Sequence, residues 1–305
     1  MDKIQQKLLE EVAGIHEVPE GAYSLRINGQ LHGKNSSEHI EIVKKEDKPG
    51  IDIYIKPGTK NESLHIPVIL SQSGLRELVY NDFHVGEDCD VTIVAGCGIH
   101  NGGSETSEHS GVHSFYLSKN AKVKYIEKHY GQGDGNGRNI MNPHTHVELE
   151  EGARLEMETA QIKGVDSTKR TTTAKVSKNA TLIVHEKIMT HGKQFAETEF
   201  EVELNGEGSG AHVISRSVAR DESSQKFISR VKGNACCSGH TECDAIIMDG
   251  ATVIAIPEIM AVHPDASLIH EAAIGKIAGE QLIKLMTLGL TEKEAEEEIV
   301  NGFLR

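Results

Sequence analysis

The stretch KNAKVKYIEK (residues 119–128) combines a turn, a small residue and a run in which apolar and polar side chains alternate. Alternation with a period of two predicts a β-strand, and a recurring strand-and-turn phrase roughly thirty residues long is typical of stacked coils. The small residue after each turn would let the corner of one coil pack on the next. The phrase recurs as EGARLEMETA (151–160), KNATLIVHEK (178–187), GSGAHVISRS (208–217), DGATVIAIPE (249–258) and PDASLIHEA (264–272), with EDCDVTIVAG (87–96) as a related copy.

These repeats predict a mainly β protein built as a β-helix or solenoid, with an ordinary β-sandwich as the alternative. The expected small corner residues are Ala121, Ala153, Ala180, Ala211 and Ala251, with Cys89 in the related copy.

The regions outside the repeats have a helical pattern. We expect a short amphipathic helix within residues 1–20, a β-helix core over 21–267 and a helical segment over 268–305. In that last segment the apolar period begins at Ile274, Gly289 is placed to end the first helix, and Thr291 with Glu294 predicts a capping box that opens a second helix.

Composition limits the classes of partner. The chain has 46 acidic and 32 basic residues and a formal charge of −14, which argues against nucleic acid or an anionic membrane as the main partner. The N-terminal stretch is not of the signal-peptide type, and no apolar run reaches membrane-spanning length. Five cysteines without a secretion signal predict a reducing, cytoplasmic location.

The segment GNACCSGHTECD (233–244) contains three of the five cysteines. Its spacing matches neither a pair of zinc knuckles nor a CxxC redox motif. Cys243 is followed two repeats later by His270 and Glu271, and stacked coils can bring these positions side by side. A thiolate, an imidazole and a carboxylate together could bind iron, zinc or copper.

A second candidate is the HxH pair His144 and His146, which lie two residues apart and therefore on one face of a strand, with Glu148 following. This pattern resembles the start of a cupin metal site and would indicate a small-molecule metalloenzyme. The matching downstream motif of a cupin is missing.

Three stretches resemble the core of the SufB/SufD family, the scaffold subunits of an iron–sulfur cluster assembly machine: CDAIIMD (243–249), HEAAIGKIAGEQL (270–282) and GLTEKEAEEEIVNGF (289–303). VTIVAGC and HSGVHSFYLSKNAKVKYIEKHYG also align in order, so the resemblance covers roughly residues 80–305. It implies a right-handed parallel β-helix followed by a helical segment.

The resemblance also implies site residues. Cys243, Glu271 and His270 match the SufB-like positions and are expected to hold a transient iron–sulfur cluster. Because successive strand residues face opposite sides, at most one of two adjacent cysteines should join them. The secondary candidates are Cys237, Cys236 and His240.

Cys97, at the end of VTIVAGC, matches the family cysteine that accepts sulfur inside the β-helix. The positions that are Gln and Trp along the sulfur tunnel of SufB-like chains are Glu127 and His129 here, and no tunnel lysine is found. The resemblance therefore implies an altered route for sulfur transfer.

As a member of this family the chain would be an assembly scaffold rather than an enzyme. The implied partners are a SufC-like ABC ATPase docked on the C-terminal helices, and either a second copy of the chain or a SufB/SufD paralogue. A SufD-like structural subunit without its own cluster is the remaining alternative.

Overall fold

The computed structural model describes residues 1–17 and 19–305, and most of them form a β-solenoid of about eight turns. Two sheets of ten strands each form its walls. Sheet one consists of β1 (Ala22–Ile27), β2 (Gln30–Asn35), β5 (Lys60–Leu70), β7 (Asp90–His100), β9 (Lys122–Gln132), β12 (Arg154–Lys163), β14 (Thr181–Thr190), β16 (Gly210–Ala219), β18 (Ser238–Ile247) and β20 (Ser267–Gly275). Sheet two consists of β3 (Ile40–Lys44), β4 (Gly50–Ile55), β6 (Arg76–Val85), β8 (Ser107–Leu117), β10 (Asn139–Met141), β11 (His144–Leu149), β13 (Ser167–Val176), β15 (Phe195–Leu204), β17 (Ser224–Gly233) and β19 (Thr252–Ala261).

The repeated phrase produces the coils as predicted. From β5 onward each coil contributes strands to both sheets, and these strands pair in parallel with the coils before and after. At the corners Ala121 and Ala180 are fully buried, and each follows an asparagine with positive φ. A side chain larger than alanine would have no room there, so the corner selects a small residue.

One predicted corner is wrong. Ala211 pairs with Leu182 inside the parallel ladder of β14 and β16, so it is a strand residue. Buried Ser209 takes the corner instead, after Gly208, which has positive φ.

The N-terminal end of the solenoid is closed. The chain begins with helix α1 (Lys3–Ala13), which confirms the predicted helix. Asp2 and Gln5 form a capping box at its N-terminus. The strand pairs β1–β2 and β3–β4 are antiparallel and finish the two sheets at this end.

Helix α1 covers the outer face of sheet one. Leu8, Leu9 and Val12 are buried there, against Leu25, Ile27 and Ile69. Strand β7 has glycines beneath the helix, since a Cβ on Gly98 would lie 3.0 Å from the Leu8 Cβ.

At the C-terminal end the last strands, β19 and β20, are mostly exposed. Two helices follow, α2 (Gly279–Thr287) and α3 (Glu292–Phe303). Gly289 has positive φ just after α2, and Thr291 forms the predicted capping box with Glu294. No helix in the described ranges is long and apolar enough to cross a membrane.

The predicted start of the helical segment is wrong. The sequence period that begins at Ile274 suggested a helix, but HEAAIG belongs to strand β20, which pairs in parallel with β18 as far as Gly275. A continuous ladder with the preceding coil outweighs the helical preference of Glu and Ala in this stretch.

Candidate functional site

Cys97 lies inside the solenoid because successive side chains of β7 point to opposite faces of sheet one. Gly96 and Gly98 face helix α1, and Cys97 between them faces the interior, where it is buried. Its partner in the next coil is His129, and both line a small cavity that Glu127 also contacts. Burial, and then the negative charges of Glu77 and Glu127, raise the pKa of the Cys97 thiol well above its ordinary value.

A buried ion pair crosses the interior next to this cavity. The Arg170 guanidinium on β13 donates to the Glu127 carboxylate on β9 at 2.6 Å, and its Nε lies 3.6 Å from Glu186 Oε1 on β14. All three side chains are buried. Arg170 therefore links the two sheets and holds two carboxylates that would otherwise be uncompensated in a medium of low dielectric constant.

The two carboxylates respond differently to this arrangement. Burial favours the neutral form of Glu127, but Arg170 and then His129 outweigh it and hold the pKa of Glu127 well below its ordinary value. For Glu186, burial dominates and raises the pKa, although Arg170 opposes the rise. Burial also lowers the pKa of His129, so its imidazole is neutral near pH 7.

The polar row continues from Glu186 to Cys243. The Glu186 carboxylate accepts a hydrogen bond from the Ser215 hydroxyl at 2.8 Å, and Ser215 is the register partner of Cys243. Glu186, Ser215 and Cys243 line a second small cavity. Burial, then the charges of Glu186 and Asp244, raise the pKa of Cys243 to about 12.

The predicted set Cys243, His270 and Glu271 does not lie on one face. Cys243 is in the middle of β18 rather than just before a strand, and it pairs with Ala272 of β20. His270 shares its inner face, where its Nδ1 lies 2.7 Å from the hydroxyl of buried Thr241. Glu271 is the next residue along β20, so the pleat turns it to the outer face.

On that outer face Glu271 meets another predicted candidate. Its carboxylate lies 3.3 Å from His240 Nε2, and it pairs with Glu242 in the register of β18 and β20. Alternation along β18 thus separates His240 and Glu242 from Cys243, on opposite sides of one strand.

The remaining cysteines of the cluster are not part of this arrangement. Cys236 is exposed and Cys237 is buried in the turn that precedes β18. Cys237 and Cys243 are six positions apart along extended chain, a distance of roughly 20 Å at about 3.3 Å per residue. Neither Cys236 nor Cys237 can therefore bind the same small metal centre as Cys243 of the same chain.

The HxH pair is on the outside of sheet two. His144 is exposed, and His146 is hydrogen-bonded by one ring nitrogen to Thr173 and by the other to Glu148 at 3.1 Å. With both nitrogens occupied, His146 has no free lone pair for a metal. A cupin is a closed double-sheet jelly roll of antiparallel strands, and this parallel solenoid does not provide that cavity.

Sequence reasoning missed Arg170 and Glu186. The signal was present, because Arg170 occupies an inward position between Thr168 and Thr172 on an alternating strand. A charged residue at an inward position requires a partner, and the partners come from the opposite sheet. Arg170 also supplies a cation beside Glu127. The sequence had offered no counterpart of the tunnel lysine of SufB-like chains.

Fold and site together define a class of protein. It is a parallel β-solenoid with an open C-terminal end, in which two of the buried thiols, Cys97 and Cys243, lie at the two ends of a row of buried charged and hydroxyl groups. Residues 76–303 match the family described as "SUF system FeS cluster assembly, SufBD core domain". The chain belongs to the SufBD family.

Individual relatives agree with this assignment. The chain is 32% identical over 278 residues to an iron–sulfur cluster assembly SufBD family protein of Archaeoglobus fulgidus, covering 89% of this chain and 72% of the relative. A SufBD family protein of Methanocaldococcus jannaschii is 29% identical over 87% of this chain and 84% of its own length. The Bacillus subtilis iron–sulfur cluster assembly protein SufB is 45% identical over 64 residues, which is 21% of this chain and 14% of that protein.

Proposed function

We propose that this protein is a scaffold subunit of a SUF-type complex, on which a nascent iron–sulfur cluster is built with the help of a SufC-like ABC ATPase. The observation that carries the proposal is the buried polar row that ends at Cys243, one coil before the open end of the solenoid. A thiol held near a solvent-exposed end suits a cluster that has to be released.

Cys243 is the proposed thiolate ligand, and His270 on the same inner face is the proposed nitrogen ligand. Because the pKa of Cys243 is raised to about 12, iron has to displace a proton to bind the sulfur. This proton competition weakens binding at neutral pH, and sparse mixed ligation weakens it further compared with a four-cysteine site. Both effects favour a transient cluster.

Cys97 is the proposed sulfur acceptor. A thiol attacks a persulfide only as the thiolate, and the raised pKa of Cys97 opposes its ionisation. The Cys97 thiolate would attack the outer sulfur of a donor persulfide, so that the new S–S bond forms as the donor's S–S bond breaks, and the departing donor thiolate takes up the proton that Cys97 gives up. Glu127, Arg170 and Glu186 then mark the proposed route towards Cys243. Glu127 and His129 stand where SufB-like chains have Gln and Trp, and Arg170 is the cation proposed to act in the absence of the tunnel lysine.

The proposed partners are a second copy of the chain, or a SufB/SufD paralogue, at the open end and the ATPase at the C-terminal helices. Strands β19 and β20 expose Ile259, Met260 and Ile269 together with an unpaired strand edge, which a symmetric partner would cover. Helix α2 exposes Ile283 and Met286, an apolar surface that fits a groove in a partner. The proposed location is the cytoplasm.

Anaerobic reconstitution with iron(II) and sulfide, followed by visible absorption, tests the scaffold proposal. We expect a broad thiolate-to-iron band in the wild type that His270→Ala weakens and His144→Ala leaves unchanged. A wild-type protein that remains colourless would contradict the proposal and favour a SufD-like structural subunit.

The docking proposal is tested by capture of the purified cognate ATPase. The truncation should remove residues 276–305, because a cut at residue 272 would remove part of β20. We expect the truncated chain to lose the ATPase while keeping its β-rich circular dichroism. Undiminished capture by the folded truncated chain would contradict helix docking.

A further inference from the structure

The outer face of sheet one carries a group of metal-ligating side chains that is separate from Cys243. His240 and Glu242 lie two residues apart on β18 and therefore on one face, and Glu271 pairs with Glu242 from β20. One ligand atom from each of these three residues lies within 4.8 Å of the others.

Within the described residues the group has no paired lysine or arginine. His240 Nε2 is 3.3 Å from the Glu271 carboxylate but makes no hydrogen bond, so a ring nitrogen faces an oxygen without a well-placed proton between them. In the described parts of the chain, no lysine or arginine forms a salt bridge with Glu242 or Glu271. Arg216 acts on Glu242 only from beyond salt-bridge distance, and Asp244 adds a further negative charge beside it. Two carboxylates and an imidazole that converge in this way favour binding a cation.

The spacing needs little adjustment for a metal ion. Nitrogen and oxygen ligands lie about 2.0–2.2 Å from a first-row ion such as zinc, so ligand atoms around one ion are up to about 4 Å apart. Rotation of the side chains, which are half-buried or exposed, closes the remaining gap. Each ligand comes from the ladder of two paired strands, so the backbone is already in place.

A further candidate ligand lies next to the group. His212 on β16 is the register partner of His240, their ring centroids are 4.9 Å apart, and its Nε2 is buried without a hydrogen bond.

We propose that His240, Glu242 and Glu271, with His212 beside them, form a mononuclear site for a divalent first-row transition metal ion. Imidazole and carboxylate ligands without a thiolate suit iron(II), manganese(II) and zinc(II). The assignment of iron(II) as the cargo rests on the proposed function, in which the iron would be held on the opposite face of β18 from Cys243 before cluster assembly.

Cobalt(II) chloride is the probe for the site itself, titrated anaerobically into the purified chain and followed by equilibrium dialysis and visible absorption. We expect one cobalt ion per chain in wild type, and at least about a tenfold weaker affinity in His240→Gln and in Glu242→Gln. The matched control is Glu201→Gln, which removes an exposed carboxylate from sheet two and should keep the wild-type affinity.

Cys243→Ala separates this inference from the proposed function. We expect it to retain the cobalt site while losing the iron–sulfur absorption band. If Cys243→Ala also loses cobalt, or if His240→Gln, Glu242→Gln and Glu201→Gln all bind as the wild type does, the ion is adventitious or thiolate-bound and the site is wrong. A protein that binds cobalt as predicted but forms no cluster would leave the site standing and contradict the scaffold proposal.

Discussion

The two ends of the solenoid cover their apolar side chains in different ways. At the N-terminal end, Leu8 and Leu9 of helix α1 are fully buried on sheet one, and antiparallel strands complete both sheets. At the C-terminal end, Ile259 of β19 and Ile269 of β20 are about half exposed, at 45% and 52%. The first end is satisfied within the chain, and the second requires another surface.

The proposed functional residues are also distributed unequally between the two ends. The cluster residues that we propose lie within the last coils, whereas Cys97 is buried beneath the helix-capped region. The last strand of a solenoid has an unpaired edge, which promotes aggregation unless it is capped or covered by a partner. In this protein the proposed cluster ligands lie at the uncapped end, so substitutions at the two ends should differ in which property they change as well as in the size of the change.

The largest effect should come from Cys243→Ala at the open end. Loss of the proposed thiolate ligand should remove nearly all of the iron–sulfur absorption band after anaerobic reconstitution, with the chain still folded by circular dichroism. Cys236→Ala removes an exposed cysteine from the preceding turn and is the matched control. A normal band in Cys243→Ala would contradict the ligand assignment.

The next effect concerns the ion pair that connects the two regions. Arg170→Leu leaves Glu127 and Glu186 buried without a cation and should lower the free energy of unfolding by about 3–5 kcal/mol at pH 7. Urea denaturation measures this loss.

The pH dependence of that loss has a definite sign. In the wild type the pKa of Glu127 is depressed, so its stabilisation is complete above the unfolded pKa near 4.5 and is lost as the pH falls through the folded value. Without Arg170 both carboxylates should prefer to be protonated. The difference between wild type and Arg170→Leu should therefore narrow as the pH is lowered towards 4.5, and a constant difference would contradict the ion-pair account.

At the closed end the expected change is in stability alone. Leu8→Ala opens a cavity between α1 and sheet one and should cost about 2–3 kcal/mol of unfolding free energy, near the lower limit for buried leucine because a terminal helix can adjust. Ile4→Ala, on the exposed side of the same helix, should cost little. Cluster content per folded chain should be unchanged in both variants.

At the open end Ile259→Lys should weaken self-association at least about tenfold without lowering the unfolding free energy of the monomer, because a charge is placed where a partner would exclude water. Leu31→Lys on β2 is the matched control, since Leu31 is 41% exposed at the closed end. Sedimentation velocity over a range of concentrations distinguishes the two. A monomeric wild type would contradict the self-association proposal.

The smallest effect should be that of Cys89→Ala. Cys89 is a buried corner residue whose thiol donates to the Lys56 carbonyl, and alanine is the usual residue at equivalent corners. Reconstitution should give the wild-type amount of cluster. Loss of the cluster would show that a cysteine far from the open end takes part in assembly.

Local sequence patterns were sufficient for several elements of the fold. The repeated phrase determined the solenoid because each turn, small residue and alternating run specifies one coil without reference to the rest of the chain. The capping box at Thr291 and the glycine stop at Gly289 were likewise local signals, and the structure has both. The helix expected around Ile274 failed because pairing with β18 is a contact between distant parts of the chain.

The grouping of the functional side chains was decided only by the tertiary structure. Sequence identified Cys243, His270 and Glu271 as candidates, but the register of β18 and β20 put Glu271 on the face opposite to Cys243. A change of one residue in register reverses every face of a strand, and the register is fixed by which face the core buries, which depends on the rest of the fold. The ion pairs of Arg170 with Glu127 and Glu186 form because the two sheets face each other across the core. An alternating pattern predicts only that a side chain points inward, and does not predict which side chain it contacts.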